Sequence, residues 1–457
     1  MNFKILSPCG MLGYGYPLES FEAGLRQKPD AIVVDAGSTD AGPHKLGAGV
    51  AIVSKQACKK DLTPMIKGGL ELGIPVIIGS AGGSGAKVHV EWTLDIIKEI
   101  IDDLKRAEQE KQFKPIKIAV ISADIPKAII LERFDTVKPL GLTVPELTTD
   151  RLEKTNGVVA QMGVEPIIEA LQEKPNIIVC GRAYDPAPFA APAILAGCDP
   201  ALSYHLGKIL ECAALCAEPG TTKDCMMGII EDDSFVVYPL NPNRKCTKVS
   251  VAAHTFYEKD HPFLLHGPGF CLDLENCNFT ENDDGSVRVS ESRIIYENPY
   301  KIKLEGAMQT SYRSFVIAGI RDPLTISRLE EIEKEVKIQV QKYYSEIDKD
   351  SYVINFINYG INGVMASSEK EKRLPYEVGV LFEVLAETQE KAAMILSTVR
   401  STFLHYGYEG RKSTAGNLAF PFAPSDVNFG PVYEFSVYHL MEVADGNELF
   451  PISYIEV

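Results

Sequence analysis

NIIVCGRAYDPAPFAAPAIL, residues 176–195, is the stretch that decides the fold. NIIVC is a short β-branched run with no polar alternation, which reads as a strand buried on both faces. GRAYDP turns the chain, and a proline at the head of an alanine-rich apolar segment reads as a helix start. The same unit recurs upstream, where FKILS, AIVVD, PVIIG and IKIAVIS alternate with longer segments of helical period. One of these, VEWTLDIIKEIIDDLKRAEQ at 90–109, spaces its apolar residues by three and four, as an amphipathic crossover helix does. Strand and helix in alternation predict an α/β fold built on a parallel sheet over residues 1–225.

Further along, the pattern changes. Between 226 and 305, MMGIIEDDSFVVYPL reads as two strands about an acidic turn, and Asp284-Gly285 is a hairpin signal. This is a β-rich extension, interrupted by a helix-like segment around His254. Residues 306–457 read as strand 312–320, helix 323–345, strands 351–358 and 377–387, helix 389–406 and strand 431–442. The order βαββαβ predicts a ferredoxin-like α+β domain, and the loop between 407 and 431 is too long for a simple turn.

The 457 residues carry 46 basic and 62 acidic side chains, a net charge of −16. Nucleic acid is a poor partner for such a surface, which lacks a basic footprint. MNFKILSPCGMLGYG lacks the regions of a signal peptide, and no stretch reaches the length of a membrane span. The expectation is a cytoplasmic protein, away from membranes, whose ten cysteines are thiols.

Parallel sheets bind ligands beyond the carboxyl ends of their strands, so the residues just after each run are the candidates. After AIVVD come Asp35, Ser38, Thr39 and Asp40; Asp35 with Asp40 is compatible with a divalent metal but not specific for one. PVIIG runs on through its last glycine into GSAGGSGA, residues 79–86, with Ser80, Gly82 and Gly83 in front of a helix. This is either an anion-binding nest or a tight turn that needs positive φ. After NIIVC, Arg182 suits bidentate capture of a carboxylate, and Asp185, before Pro186, fits a helix N-cap.

His254 is the leading proton-transfer candidate and Glu211 the second, with Asp35 as a further acid or base. Lys303 and Glu305 add a cation and a carboxylate at a strand end, or simply alternate on a half-exposed strand. Cys212 and Cys216 lie four apart on a helix, two turns beyond His205; without a CxxC or a closing His pair they read as buried thiols, and no metal motif is assigned. No dinucleotide, haem or iron–sulfur signature occurs, which leaves the cofactor open.

LSPCGMLGYG, VVDAGSTDAGP, PVIIGSAGGSG, VAQMGVEPIIEAL, CGRAYDPAPFAAPAIL, HLGKILECAALCAEPG, NPNRKCTKVSVAAHTFYE and KLEGAM, taken together, resemble the acyclic terpene utilisation (AtuA-like) family over about residues 5–320. The ending is similar to the ferredoxin-like module associated with that family. The resemblance implies catabolism of branched terpenoid acids or their coenzyme A esters, and a small accessory protein beside some members; it carries over no catalytic residues.

Two functions stay open. One is an enzyme acting on a small carboxylate or acyl substrate by proton abstraction, as a hydro-lyase or isomerase, in a homo-oligomer. The other is a non-catalytic binding or assembly subunit working with a small accessory protein. A deep pocket gathering Asp35, Gly83, Arg182 and His254 favours the first; Arg182 in a structural ion pair favours the second.

Overall fold

The computed structural model describes residues 2–107, 114–257, 261–370, 374–412 and 418–457, with the Asp40 side chain outside that description. The last two residues of the 90–109 segment and part of the 407–431 loop also fall outside it. The chain forms two compact units, Met1–Met308 with Glu434–Val457, and Gln309–Tyr433. Residues 434–457, expected in the C-terminal domain, therefore belong to the first unit.

The first unit is built on a ten-stranded sheet. At its centre five parallel strands lie in the order Phe3–Ser7, Ala31–Asp35, Val76–Gly79, Ile177–Cys180 and Lys117–Ile121. These are the five apolar runs of the sequence, and their buried residues divide by alternation between two cores. Ile5, Val33, Ile77 and Ile178 face one core, and Leu6, Ile32, Val34 and Ile78 face the other. Both flanks are antiparallel: Met226–Ile230 pairs with the first strand, and Ile452–Glu456 with Lys117–Ile121. Met226–Ile230 and Ser234–Pro239 form the hairpin read from the acidic turn, and the Asp284-Gly285 hairpin joins Asn278–Glu281 to Val287–Ser290. Gly285 has φ +79°, the left-handed conformation such a turn requires.

Local chemistry sets the helix ends. Ser54 caps Lys55–Leu72, which stops at Gly73 in the left-handed region. Asp199 caps Pro200–Leu210. The helix expected through Cys212 and Cys216 ends at Leu210; Ala213 has φ +49°, and a 3-10 turn runs over Ala213–Cys216. None of the ten cysteines is in a disulfide. Among the described residues no helix is long and apolar enough to cross a membrane.

In the second unit the chain runs strand, helix, strand, strand, helix, strand. Tyr352–Tyr359 pairs with Val378–Ala386, which pairs with residues 312–320 of the strand Tyr300–Ile320. The helix read as 323–345 breaks at Arg328, whose φ of −109° is not helical, into Pro323–Ser327 and Leu329–Tyr343. Ile332, Val336 and Val340 of the longer piece meet Ile395, Leu396, Val399 and Phe403 of Gln389–Leu404 in one apolar core with the sheet.

Candidate functional site

Beyond the carboxyl end of Ile177–Cys180 sits Arg182, 1% exposed and the largest fully buried side chain. A guanidinium has five N–H donors and cannot give up its charge, so burial requires a partner for each. Nε donates to Glu305 Oε2 at 3.1 Å. Nη1 faces Ser80 Oγ, the Ala183 carbonyl and Asp185 Oδ1, each at 2.8 Å. Nη2 donates to Thr39 Oγ1 at 2.9 Å and lies 3.4 Å from Glu305 Oε1.

Arg182 is therefore saturated from within, and no N–H is left over to clamp a substrate carboxylate. Asp185 is not an N-cap: the helix Ala187–Leu195 follows Pro186 without a side-chain cap, because the Asp185 carboxylate is turned to Arg182.

Glu305 is the centre of the same network. Thr39 Oγ1 donates to its Oε1 at 2.6 Å, Gln161 Nε2 lies at 3.2 Å and Lys303 Nζ at 3.1 Å. Burial opposes its charge, but Arg182 and Lys303 outweigh burial and hold the carboxyl down at about 2. Lys303 and Glu305 are not at a strand end. They lie inside Tyr300–Ile320, where Leu304–Ala307 pairs antiparallel with Gly157–Ala160, and their spacing of two puts both on one face. Lys303 also donates to Thr39 Oγ1 at 3.0 Å and sits 4.4 Å above the Tyr438 ring.

This network forms one wall of a cavity of about 710 Å³. Ser38, Thr39, Gln161, Arg182, Asp185, Lys301 and Lys303 are its polar lining. Leu140, Leu265, Pro268 and Leu440 are apolar lining residues. The space is large enough for a small acyl group.

Three of the sequence candidates lie elsewhere. Asp35, Glu211 and His254 are buried but are not among the lining residues. Burial, and then the charge of Asp185, push the Asp35 carboxyl well above the usual range, with Arg182 opposing. Lys208 Nζ contacts Glu211 Oε1 at 2.6 Å and lies 4.7 Å from the Tyr257 ring, against which His254 stacks. Burial and the Lys208 charge lower the His254 imidazole to about 4, so it is neutral at physiological pH. His205, read as a core histidine, bonds Ser292 and Thr255.

The glycine loop is used for close packing. A Cβ on Gly85 would lie 2.1 Å from the Arg182 nitrogen, and one on Gly37 would lie 2.0 Å from the Gly83 carbonyl oxygen. Gly82 and Gly83 are buried outside the cavity, and the Gly82 carbonyl accepts from Ile52 N–H. Ser80, the loop's first residue, does reach the site, through Arg182.

Gln161, Tyr184, Lys301, His266 and Glu297 line the cavity and were not among the sequence candidates. Gln161 directly follows the strand Gly157–Ala160, so the strand-end rule reaches it once that strand is seen. Tyr184 lies between Arg182 and Asp185 after the strand Ile177–Cys180, and strand pairing places Lys301, His266 and Glu297.

A family model described as acyclic terpene utilisation family protein AtuA matches residues 97–423. The chain belongs to the AtuA family. No curated protein and no solved structure matches it. The matched region contains Gln161, Arg182, Lys303 and Glu305.

Proposed function

We propose that this AtuA-family protein is a catabolic enzyme that binds a small branched carboxylate, free or as an acyl ester, in the 710 Å³ cleft and moves a proton on it, as a hydro-lyase or isomerase. The observation that carries the reading is a lining that mixes donors with hydrocarbon. Lys303, Lys301 and Gln161 offer donors to an anionic head, and Leu140, Leu265 and Leu440 offer surface to a hydrocarbon tail. Arg182 takes a positioning part, fixing the carboxylates of Glu305 and Asp185. Of these, Asp185 lines the cleft at 29% side-chain exposure and is our candidate base.

His254, Glu211 and Asp35 are buried and outside the lining, so none of them is assigned the proton-transfer step. We also read Gln309–Tyr433 as a ferredoxin-like module, on its element order and on the strand order Tyr352–Tyr359, Val378–Ala386, Tyr300–Ile320, Val427–Val443.

The test is exchange at carbon. The full chain, incubated in D2O with 3-methyl-branched carboxylates and their coenzyme A esters, is expected to place deuterium next to the carbonyl, read by mass spectrometry, and Asp185→Asn to abolish it. Incorporation that is equal with and without protein would contradict proton abstraction. Two observations favour a second reading, a binding subunit: Arg182 is held wholly by internal partners, and Asp35, Gly83 and His254 are not among the cleft's lining residues. Ligand-induced stabilisation without any exchange is the result that would favour it.

A further inference from the structure

We propose that His266, Cys271 and Glu297 bind one transition-metal cation of the zinc class on the wall of the cleft. The three residues come from different strands of a small antiparallel sheet, Leu264–Gly267, Phe270–Asp273 and Arg293–Tyr296 with the residue that follows. His266 is directly opposite Cys271, and Cys271 is directly opposite Ile295. Directly opposed residues project from the same face, and so do residues two apart on one strand. Glu297 is two beyond Ile295, and its N–H donates to the Gly269 carbonyl at 2.8 Å, which extends the pairing by one step. The alternation of the sheet therefore puts imidazole, thiol and carboxylate together on one face.

One donor atom from each residue lies within 4.8 Å of the other two, and His266 Nδ1 is 2.8 Å from Glu297 Oε1. Zinc bonds of about 2.0–2.3 Å place ligands of one ion roughly 3–4 Å apart, so the His266–Glu297 pair at 2.8 Å opens slightly while the three donors, already within 4.8 Å, adjust around one ion. Thiolate with imidazole and carboxylate suits a borderline-soft ion such as Zn2+ and does not suit Mg2+ or Ca2+, which take all-oxygen sites. Three protein ligands leave a fourth position open, the composition of catalytic zinc centres. His266 and Glu297 both line the cleft, so the open position faces the space that Lys303 borders. Cys271 is buried and supplies the fixed anchor, while His266 is exposed. Metal capture by these residues goes beyond the function proposed above and does not depend on it.

The test uses the full chain, stripped with chelator and titrated with Co2+ alone, so that a chain that takes up metal but exchanges no deuterium counts only against the proposed reaction. The expected result is about one Co2+ per chain, visible bands of tetrahedral strength and a near-ultraviolet thiolate-to-cobalt charge-transfer band, displaced by Zn2+. Cys271→Ser removes the charge-transfer band. His266→Ala, at an exposed side chain that the fold does not need, weakens Co2+ binding by at least about tenfold. Cys277→Ser, at a half-buried thiol beside His205, leaves both signals unchanged. Absence of the band in the unaltered chain, its persistence in Cys271→Ser, an unchanged affinity in His266→Ala, or its loss in Cys277→Ser would each overturn the site.

Discussion

Glu305 in the first unit and Glu333 in the second are both withdrawn from water, and their ionisation moves in opposite directions. Glu305 sits among Arg182, Lys303, Thr39 and Gln161 and is held down at about 2. Glu333, on the helix Leu329–Tyr343, has the Asn358 amide at 2.8 Å and a more distant Lys337; burial wins and raises it to about 7. Burial alone penalises charge in both places, and the partners decide the sign. A ring of donors spent on one carboxylate marks the place where the fold fixes a charge. The second unit, by comparison, buries an almost wholly hydrocarbon core.

The largest effect expected from this contrast follows from removing the guanidinium from the first ring. Arg182→Ala leaves Glu305 and Asp185 without their counter-charge, at a cost of roughly 3–5 kcal/mol in denaturant unfolding. Arg182→Lys recovers little, because three ammonium donors cannot fill five positions. A midpoint within experimental error of the parent would break the idea that the network is structural.

Next in size is the acid limb. Glu305 ionises lower in the folded chain than its ordinary 4.5, so the stability it contributes is present above that value and is lost as pH falls from 4.5 towards 2. Glu305→Gln should therefore lie below the parent at pH 7 by on the order of 2 kcal/mol and converge with it over that window. Parallel curves would show that the charge is not what matters.

Glu333 should behave in the reverse sense and more weakly. Its folded value is raised from 4.5 to about 7, so its contribution is complete below 4.5 and is lost as pH rises through 7. Glu333→Gln should gain on the parent over that range by on the order of 1 kcal/mol, discounted for its partial exposure. A gain at acid pH instead would reverse the assignment.

How much of this was legible in the sequence depends on distance along the chain. The five parallel strands announced themselves, since strands buried on two faces have no polar alternation to confuse them with. Strand ends then led to Ser38, Thr39, Ser80, Arg182 and Asp185, all of which meet in or at the site. What Arg182 does there was hidden, because Glu305 is 123 residues away and only sheet pairing brings it close.

The glycine loop stayed open in the sequence for a local reason: positive φ serves an anion nest and a tight crossing equally well, and here Gly85 passes against the Arg182 backbone. His266 and Glu297 had no signal, being isolated polar residues in a β-rich segment until register aligns them. His254 and Glu211 were found as buried polar residues, outside the cleft lining.

The central claim is that the cleft receives a branched carboxylate through Lys303 and not through Arg182. Lys303→Ala removes one of several donors to Glu305 and should cost only about 1 kcal/mol of stability. The direct measurement is thermal stabilisation by a series of branched carboxylates and their coenzyme A esters, in the parent and in Lys303→Ala. A ligand at about 100 times its Kd adds roughly 2.7 kcal/mol to the parent by linkage, and that increment should vanish in Lys303→Ala. An undiminished increment in Lys303→Ala, or no stabilisation of the parent by any branched carboxylate, would contradict it.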